Sequence, residues 1–360
     1  MFLAINELKE SKLRYSLIVG LLFLVAYLMY FLSGLAYGLI QENRSAIDLW
    51  KADTVLLSKD ANNTLNLSSI KISEKNNIEA SKLATLAQRS TVAWNKQEPK
   101  ESDKEKVSIF GINKDEFLKP KIIKGRSINS DKEVIIDKSL ADKSNFKLND
   151  KLYLANSIQK YEIVGISQKA TFNVSPVIYM TLDGFKNIDS SVQSLLTNHD
   201  IKVNAFVIKG ELKKYDKDKF QKLSLETFIK KLPGYSAQTI TFGFMIGFLV
   251  IISAIIIGIF MYVLTIQKAP IFGIMKAQGI SNKTIVNAVL TQTFILSLFG
   301  SSLGLLANWA SSLILPQTVP FQGNWFFYGI IFMSMILFSI LGTLFSVFAI
   351  IRIDPLKAIG

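Results

Sequence analysis

Two long stretches of this chain carry no charged residue: Gln238 to Ile266, and Thr284 to Ile351. Each exceeds the ~20 apolar residues that cross a bilayer, so the sequence predicts transmembrane helices here and not a buried core. The charges are concentrated elsewhere. A mean hydropathy of +0.31 coexists with 41 basic and 28 acidic residues, for a net charge of +13. That segregation excludes a soluble enzyme, a secreted disulfide scaffold and a disordered tail. The chain has no cysteine, which also removes disulfides, thiolate metal sites and a cysteine nucleophile.

Four spans are readable, over 15–40, 236–266, 285–315 and 325–351. Pro316 and Pro320 mark the turn between the last two, since proline cannot comfortably continue a helix. Orientation follows from basic residues in the short segments. Lys9, Lys12 and Arg14 lie in segment 1–14, Lys268, Lys276 and Lys283 in loop 267–284, and Arg352 and Lys357 in tail 352–360; loop 316–324 has no charge. Both termini and loop 267–284 are therefore expected inside, with 41–235 and 316–324 outside. The Trp325-Phe326-Phe327-Tyr328 cluster suits the outer interface. The first apolar stretch is too long for a signal-peptide core, so it is expected to stay as an anchor. The expected fold class is a mainly α membrane protein of the cell membrane. It has four transmembrane helices, N-in and C-in, with a small α+β extracellular domain inserted between the first and second.

Segment 41–235 is large enough to fold alone. Ala61 to Glu105 is rich in Asn, Ser, Lys and Glu and reads as helix and mobile loop, with Lys96 to Lys106 the least ordered part. Beyond it, Val107–Ile112, Glu133–Ile136, Lys151–Leu154, Tyr161–Ile166 and Val177–Met180 read as strands. Ser139 to Asn145 and Asp183 to Asn187 read as short helical turns. The modest basic surplus points to anionic lipid or cell-wall polymer, not nucleic acid.

The absences are informative. No glycine is followed by lysine, so there is no Walker-type phosphate cradle. His199 is the only histidine, and its Asn198-His199-Asp200 setting reads as an exposed loop, so neither a His-based triad nor a two-His metal site can be assembled in one chain. Spans two to four hold no charge, and the usual mark of an ion-coupled carrier is missing. No catalytic residue and no metal site are expected. If the chain moves something, the energy comes from a partner.

Three features face the cytoplasm. Phe2 to Leu13 has the pattern of an amphipathic surface helix. In the loop from Lys268 to Lys283, Pro270 suits a first helical turn, Ile271, Ile274 and Met275 share one face, and Gly279 can end the helix. A short apolar-faced helix between two spans is a natural docking element for a soluble subunit. The third is the tail from Arg352 to Ile359.

The stretch 270–280 resembles the "iGilkAlGas" segment of MacB-like and FtsX-like permeases of ATP-binding cassette transporters. Asp354-Pro355-Leu356-Lys357-Ala358 resembles their "DP-x-x-AL" tail, and Leu3 through Arg14 their "Ai-eL--nk-R" opening. Val134 to Asp137 through Leu152, then Tyr161 to Ile166, is similar to their external core. The one-plus-three arrangement of spans matches over the whole chain. The resemblance implies a homodimer with two separate ATPase subunits, which carry the ATP and Mg. They would dock on Pro270, Ile271, Phe272, Gly273, Ile274, Met275, Lys276 and Gly279, and their closure would reach the external domain by mechanotransmission. Within the family the chain looks most like the haem-export permeases of Gram-positive bacteria, which makes haem a possible substrate and no intrinsic cofactor necessary. Met29, Tyr30 and Tyr37 on span one, with Phe244 and Met245 on span two, are candidates to line a lateral cleft for a flat amphiphile. The pairs Gly34/Gly38, Gly243/Gly247 and Gly300/Gly304 allow close helix approach, and one of them is a candidate dimer contact. Two other readings stand beside export: an FtsX-like permease that activates a cell-wall hydrolase without transport, and an anchored external binding module.

Overall fold

The computed structural model describes residues 12–155, 157–188, 202–316 and 318–351. His199, most of the Phe2–Leu13 segment and the 352–360 tail lie outside the described residues. Two compact units are present, Met1–Gly38 with Ile240–Gly360, and Leu39–Thr239.

Among the described residues, four helices that lie wholly or mostly in the first unit are long and apolar enough to cross a membrane. They are α1 (Lys12–Asp48), α5 (Tyr235–Gln267), α7 (Asn282–Ile314) and α8 (Trp325–Ile351), and a short α6 (Ala269–Ala277) follows α5. Ser281 starts α7 by accepting a hydrogen bond from the Thr284 amide. Helix α1 does not stop at residue 40. It continues to Asp48 because its last turns are satisfied locally: Arg44 pairs with Asp48 one turn on, at 2.7 Å.

The second unit is dominated by strands. Eleven form one sheet whose main path runs β13-β1-β12-β3-β4-β10-β6-β8-β5. Those strands are β1 (Thr54–Ser58), β3 (Glu79–Trp94), β4 (Glu105–Ile112), β5 (Ile122–Gly125), β6 (Glu133–Asp137), β8 (Tyr161–Ser167), β10 (Ser175–Thr181), β12 (Ala205–Lys214) and β13 (Phe220–Ser224). Strand β7 (Lys151–Leu154) joins β3 and β8, and β9 (Thr171–Phe172) pairs with β10. A separate small sheet pairs β2 (Ile70–Lys71) with β11 (Lys202–Val203). Among the described residues the unit also has three short helices, α2 (Lys138–Ser144), α3 (Leu182–Lys186) and α4 (Leu225–Lys230).

Alternation along the strands sorts the core into faces. Phe110, Ile135, Val177 and Tyr179 join one buried cluster with Val55, Val207 and the helix-end residues Ala46, Ile47 and Trp50. Their neighbours Ile109, Val134, Ile136, Ile178 and Met180 form a cluster on the opposite face, and Leu56, Phe206 and Ile208 form another. Asp137, fully buried at the end of β6, accepts from the Leu140 amide (2.9 Å), the Ala170 amide (3.1 Å) and the Ser139 hydroxyl. Burial pushes its carboxyl above the ordinary range. At the surface, the Arg126 guanidinium holds Glu133 down to about 2.

The reading of Ala61 to Glu105 as helix and mobile loop is overturned. Its centre is β3, 16 residues long, paired with β12 on one side and β4 on the other. The strand holds four alanines and only three β-branched residues, Thr85, Thr91 and Val92, so local propensity misleads. The ladders on both edges and the buried run Ala84 to Gln88 decide the outcome. Lys96 to Lys106 contains an ordered turn, with Lys96 bonded to Asp103 at 2.5 Å. The strands and short helices expected after Lys106 are all present, within one or two residues of their expected ends.

Candidate functional site

The segment expected to meet an ATPase forms α6. Pro270 sits in its first turn, and Gly279, at φ +82°, ends it in the left-handed conformation that glycine adopts without strain. The Ile280 amide then bonds the Met275 carbonyl at 3.0 Å, and the Gly279 amide bonds that of Lys276 at 2.9 Å. The helix has two apolar faces. Phe272, 7% exposed, packs with Ile285, Val289 and Val347, and Met275 packs against that cluster. Ile271 and Ile274 are each 52% exposed. Pro270 and Gly279 are exposed too, Lys276 is half-buried and Gly273 is buried. Met275 therefore does not share the outward face with Ile271 and Ile274. It lies three residues from Phe272, on the side that anchors the helix.

Sequence reasoning missed Lys268, which it took for an ordinary loop charge. Lys268 is 5% exposed. Its Nζ donates to the Tyr15 hydroxyl and to Gln292 Oε1, both at 2.8 Å, and lies 5.3 Å from the Tyr15 ring centroid. This one ammonium ties α1, α5 and α7 together immediately before α6 begins. With Leu264 and Thr265, Lys268 lines a cavity of about 20 Å³. Proximity to the basic loop hid it; a lysine one residue past an apolar span is the available signal.

Glycines set the helix contacts of the membrane unit. A Cβ on Gly300 would lie 2.5 Å from Leu22 Cβ, and one on Gly304 would lie 2.8 Å from Ala26 Cβ. Gly34 and Gly38 pack under Phe321 and the Pro320 backbone, and the Gln322 amide bonds the Gly34 carbonyl at 3.1 Å. Both pairs thus serve contacts within one chain. Gly243 and Gly247 have nothing within 4 Å.

The five cleft candidates are not brought together as one lining. Met29 and Tyr30 are 4% and 0% exposed inside the helix core, where Tyr30 bonds the Ser301 hydroxyl at 2.8 Å and meets Tyr328 edge-on. Packing claims both residues. Tyr37 is half-buried against Phe327, with ring centroids 5.8 Å apart. Phe244 is 64% exposed, stacked with Phe248, and Met245 is half-buried. Among the described residues no cluster of three or more His, Asp or Glu is placed to hold a metal ion.

Residues 243–355 match the family model described as the C-terminal part of FtsX-like permeases. The chain carries an FtsX-like permease domain. The match begins in α5 and takes in α6, α7 and α8, with the buried Lys268 between the first two. Over its full length the chain is 27% identical to the hemin transport system permease protein HrtB of Staphylococcus haemolyticus, covering 99% of that protein. It is 28% identical to the HrtB of Staphylococcus epidermidis, again covering 99%. The chain is similar over its whole length to those permeases, and it is a multi-pass membrane protein. Two solved structures are similar at 14% identity. The extracellular domain of the ABC-type transporter YknZ has a TM-score of 0.30 over 46% of this chain and 84% of its own. The periplasmic region of MacB from Actinobacillus actinomycetemcomitans has 0.33 over 52% and 94%. At such scores the likeness carries no argument.

Proposed function

We propose that the permease is the membrane subunit of an exporter that removes haem or another toxic amphiphile from the membrane. In this reading it is a homodimer served by two separate ATPase subunits, which bind the ATP and Mg, and the chain itself catalyses nothing. ATPase closure pushes on α6 and is passed to the inserted domain by mechanotransmission. Both termini and α6 face the cytoplasm, as the basic short segments favour, and Leu39–Thr239 is outside. The observation that carries the reading is the end-to-end match to permeases that bear a hemin transport name. The outward Ile271 and Ile274 support the ATPase contact, since an exposed apolar pair on a short helix is suited to burial against a partner.

The dimer face in this reading is on α5. Phe244, Phe248, Ile251, Ile255 and Ile259 are all more than half exposed, beside the open Gly243 and Gly247. Small residues at four-residue spacing let two helices approach closely. The cysteine-free chain allows a direct test. Gly247→Cys is expected to give a cross-linked dimer on oxidation in membranes, and Gly329→Cys, at another open glycine on α8, is not. The reverse result moves the interface to α8.

The functional test is growth of a strain lacking the gene across a haemin series, beside bacitracin and a detergent. Selective haemin hypersensitivity, restored by the intact gene but not by Ile274→Asp, is the expected result. Unchanged haemin tolerance removes haem as substrate, and stable capture of a wall hydrolase by the inserted domain would replace export with hydrolase activation.

A further inference from the structure

The segment from Lys169 to Ser175 is a tight hairpin, with Phe172 opposite Ser175 and Thr171 opposite Pro176. Its two turn residues are Asn173 at φ +49° and Val174 at φ +64°. A two-residue turn with both central φ positive suits the right-handed twist of its strands, and asparagine accepts it. Valine does not. A β-branched side chain in the left-handed region is a genuine outlier, which persists only where the surroundings hold it. Packing of its own side chain is not what holds it, because Val174 is 53% exposed.

What holds it is the end of α1. The Val174 amide donates to the Glu42 carbonyl and the Asn173 amide to the Asn43 carbonyl, both at 3.1 Å. The Thr171 amide donates to Ser45 Oγ at 2.8 Å, the two hydroxyls of Ser45 and Thr171 are 2.7 Å apart, and Lys169 pairs with the buried Glu42 at 2.5 Å. These polar contacts recruit helix carbonyls that already belong to the helix's own ladder, and beside them Ala46 and Ile47 of the helix and Ala170 and Phe172 of the hairpin join one buried apolar cluster. On its other side the turn is under-satisfied. Asn173 Oδ1 and Gln88 Oε1 are buried with no protein hydrogen-bond partner, and Gln88 is 5% exposed. Both residues line a cavity of about 20 Å³ with Lys231, Leu232 and Pro233, the residues that lead into α5.

We infer that the Thr171–Ser175 hairpin is a strained clasp on the end of α1, poised to release when the Glu42–Ser45 turn shifts. The closed clasp keeps Val174 in a backbone conformation it disfavours. Release relaxes that conformation, at the loss of the Glu42, Asn43 and Ser45 contacts and of the burial of Phe172. Opposed terms of that kind make an element with two discrete arrangements and not a continuously deformable joint. The same helix continues into span one, so the clasp is where a movement of that helix is either transmitted to the sheet or let slip. This inference does not depend on the substrate or on the ATPase.

The test is amide hydrogen exchange on the full chain in lipid nanodiscs, comparing wild type with Val174→Asn and Val174→Gly. Both residues tolerate positive φ, so the closed clasp loses its strain. Exchange at amides 173 and 174 is expected to slow roughly fivefold to thirtyfold, the range set by the left-handed penalty of about 1–2 kcal/mol on a β-carbon. Equal or faster exchange in both variants overturns the inference. A second arm uses Ser45→Cys with Thr171→Cys, whose side chains replace hydroxyls already in contact. Oxidation is expected to lock the clasp and abolish the protein's growth phenotype, with recovery on reduction. Full activity of the oxidised, cross-linked protein shows that the clasp never opens, which also overturns it. The exchange arm involves neither haemin nor a partner, so its failure is distinguishable from failure of the export reading.

Discussion

Ile274→Asp is expected to abolish co-purification of the partner ATPase while the permease still inserts and folds. Ile274 lies on the outward face of α6 and is half exposed, so the substitution disturbs nothing inside the bundle. In the proposed complex the same position is desolvated. Burying an isoleucine side chain is worth about 1.5–3 kcal/mol, and forcing an unpaired carboxylate into that contact costs several kcal/mol more. At about 1.4 kcal/mol per tenfold, association falls by roughly 100-fold or more. Ile271→Asp should behave alike.

Met275→Glu separates docking from anchoring. Its side chain packs towards Phe272, Ile285 and Val289, so it should lose ATPase association indirectly, by dislodging α6. Proteolysis of the 268–280 segment in the free permease distinguishes the two. Ile274→Asp is expected to leave cleavage unchanged, and Met275→Glu to accelerate it. Undiminished ATPase pull-down with both Ile271→Asp and Ile274→Asp would remove the docking assignment.

Much of this molecule was legible because membrane burial writes itself in long uncharged runs. An uncharged run such as Thr284 to Ile351, which holds two spans, cannot be disguised by other residues. Strands of β-branched residues, such as Tyr161–Ser167, were equally plain. What escaped were positions where the outcome is decided by distant partners. Glu79–Trp94 has the composition of a helix, and only β12 and β4 make it a strand. Met275 was placed on the outward face because helical spacing alone cannot tell which of two apolar stripes meets the bundle; the bulk of Phe272, seated against Ile285, Val289 and Val347, decides it. Met29 and Tyr30 look like ligand-lining residues in a sequence and are core residues in space. Lys268 was hidden for the opposite reason, since a basic residue at a span end normally belongs to solvent, and this one reaches back to Tyr15 and Gln292.

Gly304→Leu is expected to unfold the membrane unit, and the reason lies in backbone proximity. A Cβ at 304 would sit 2.8 Å from Ala26 Cβ and 2.9 Å from the Tyr27 amide nitrogen. The second of these is main chain of α1, which cannot rotate away. A leucine must therefore separate α7 from α1 along its whole contact, where overpacking alone costs about 1–3 kcal/mol. Separation also breaks the Tyr30–Ser301 bond (2.8 Å) and the Tyr27–Ser311 bond (3.0 Å). Interhelical hydrogen bonds in membranes average about 0.6 kcal/mol each. Together these losses approach or exceed 3 kcal/mol, a large part of the stability of a marginally stable fold. Gly329→Leu is the control, because nothing lies within 4 Å of that glycine. Midpoints of thermal aggregation in detergent should fall steeply for Gly304→Leu, less for Gly304→Ala, and scarcely for Gly329→Leu. Equal midpoints for the two leucine variants would mean that α1 and α7 are not held at this separation. The tie made by Lys268 would then have to carry the α1–α7 contact alone.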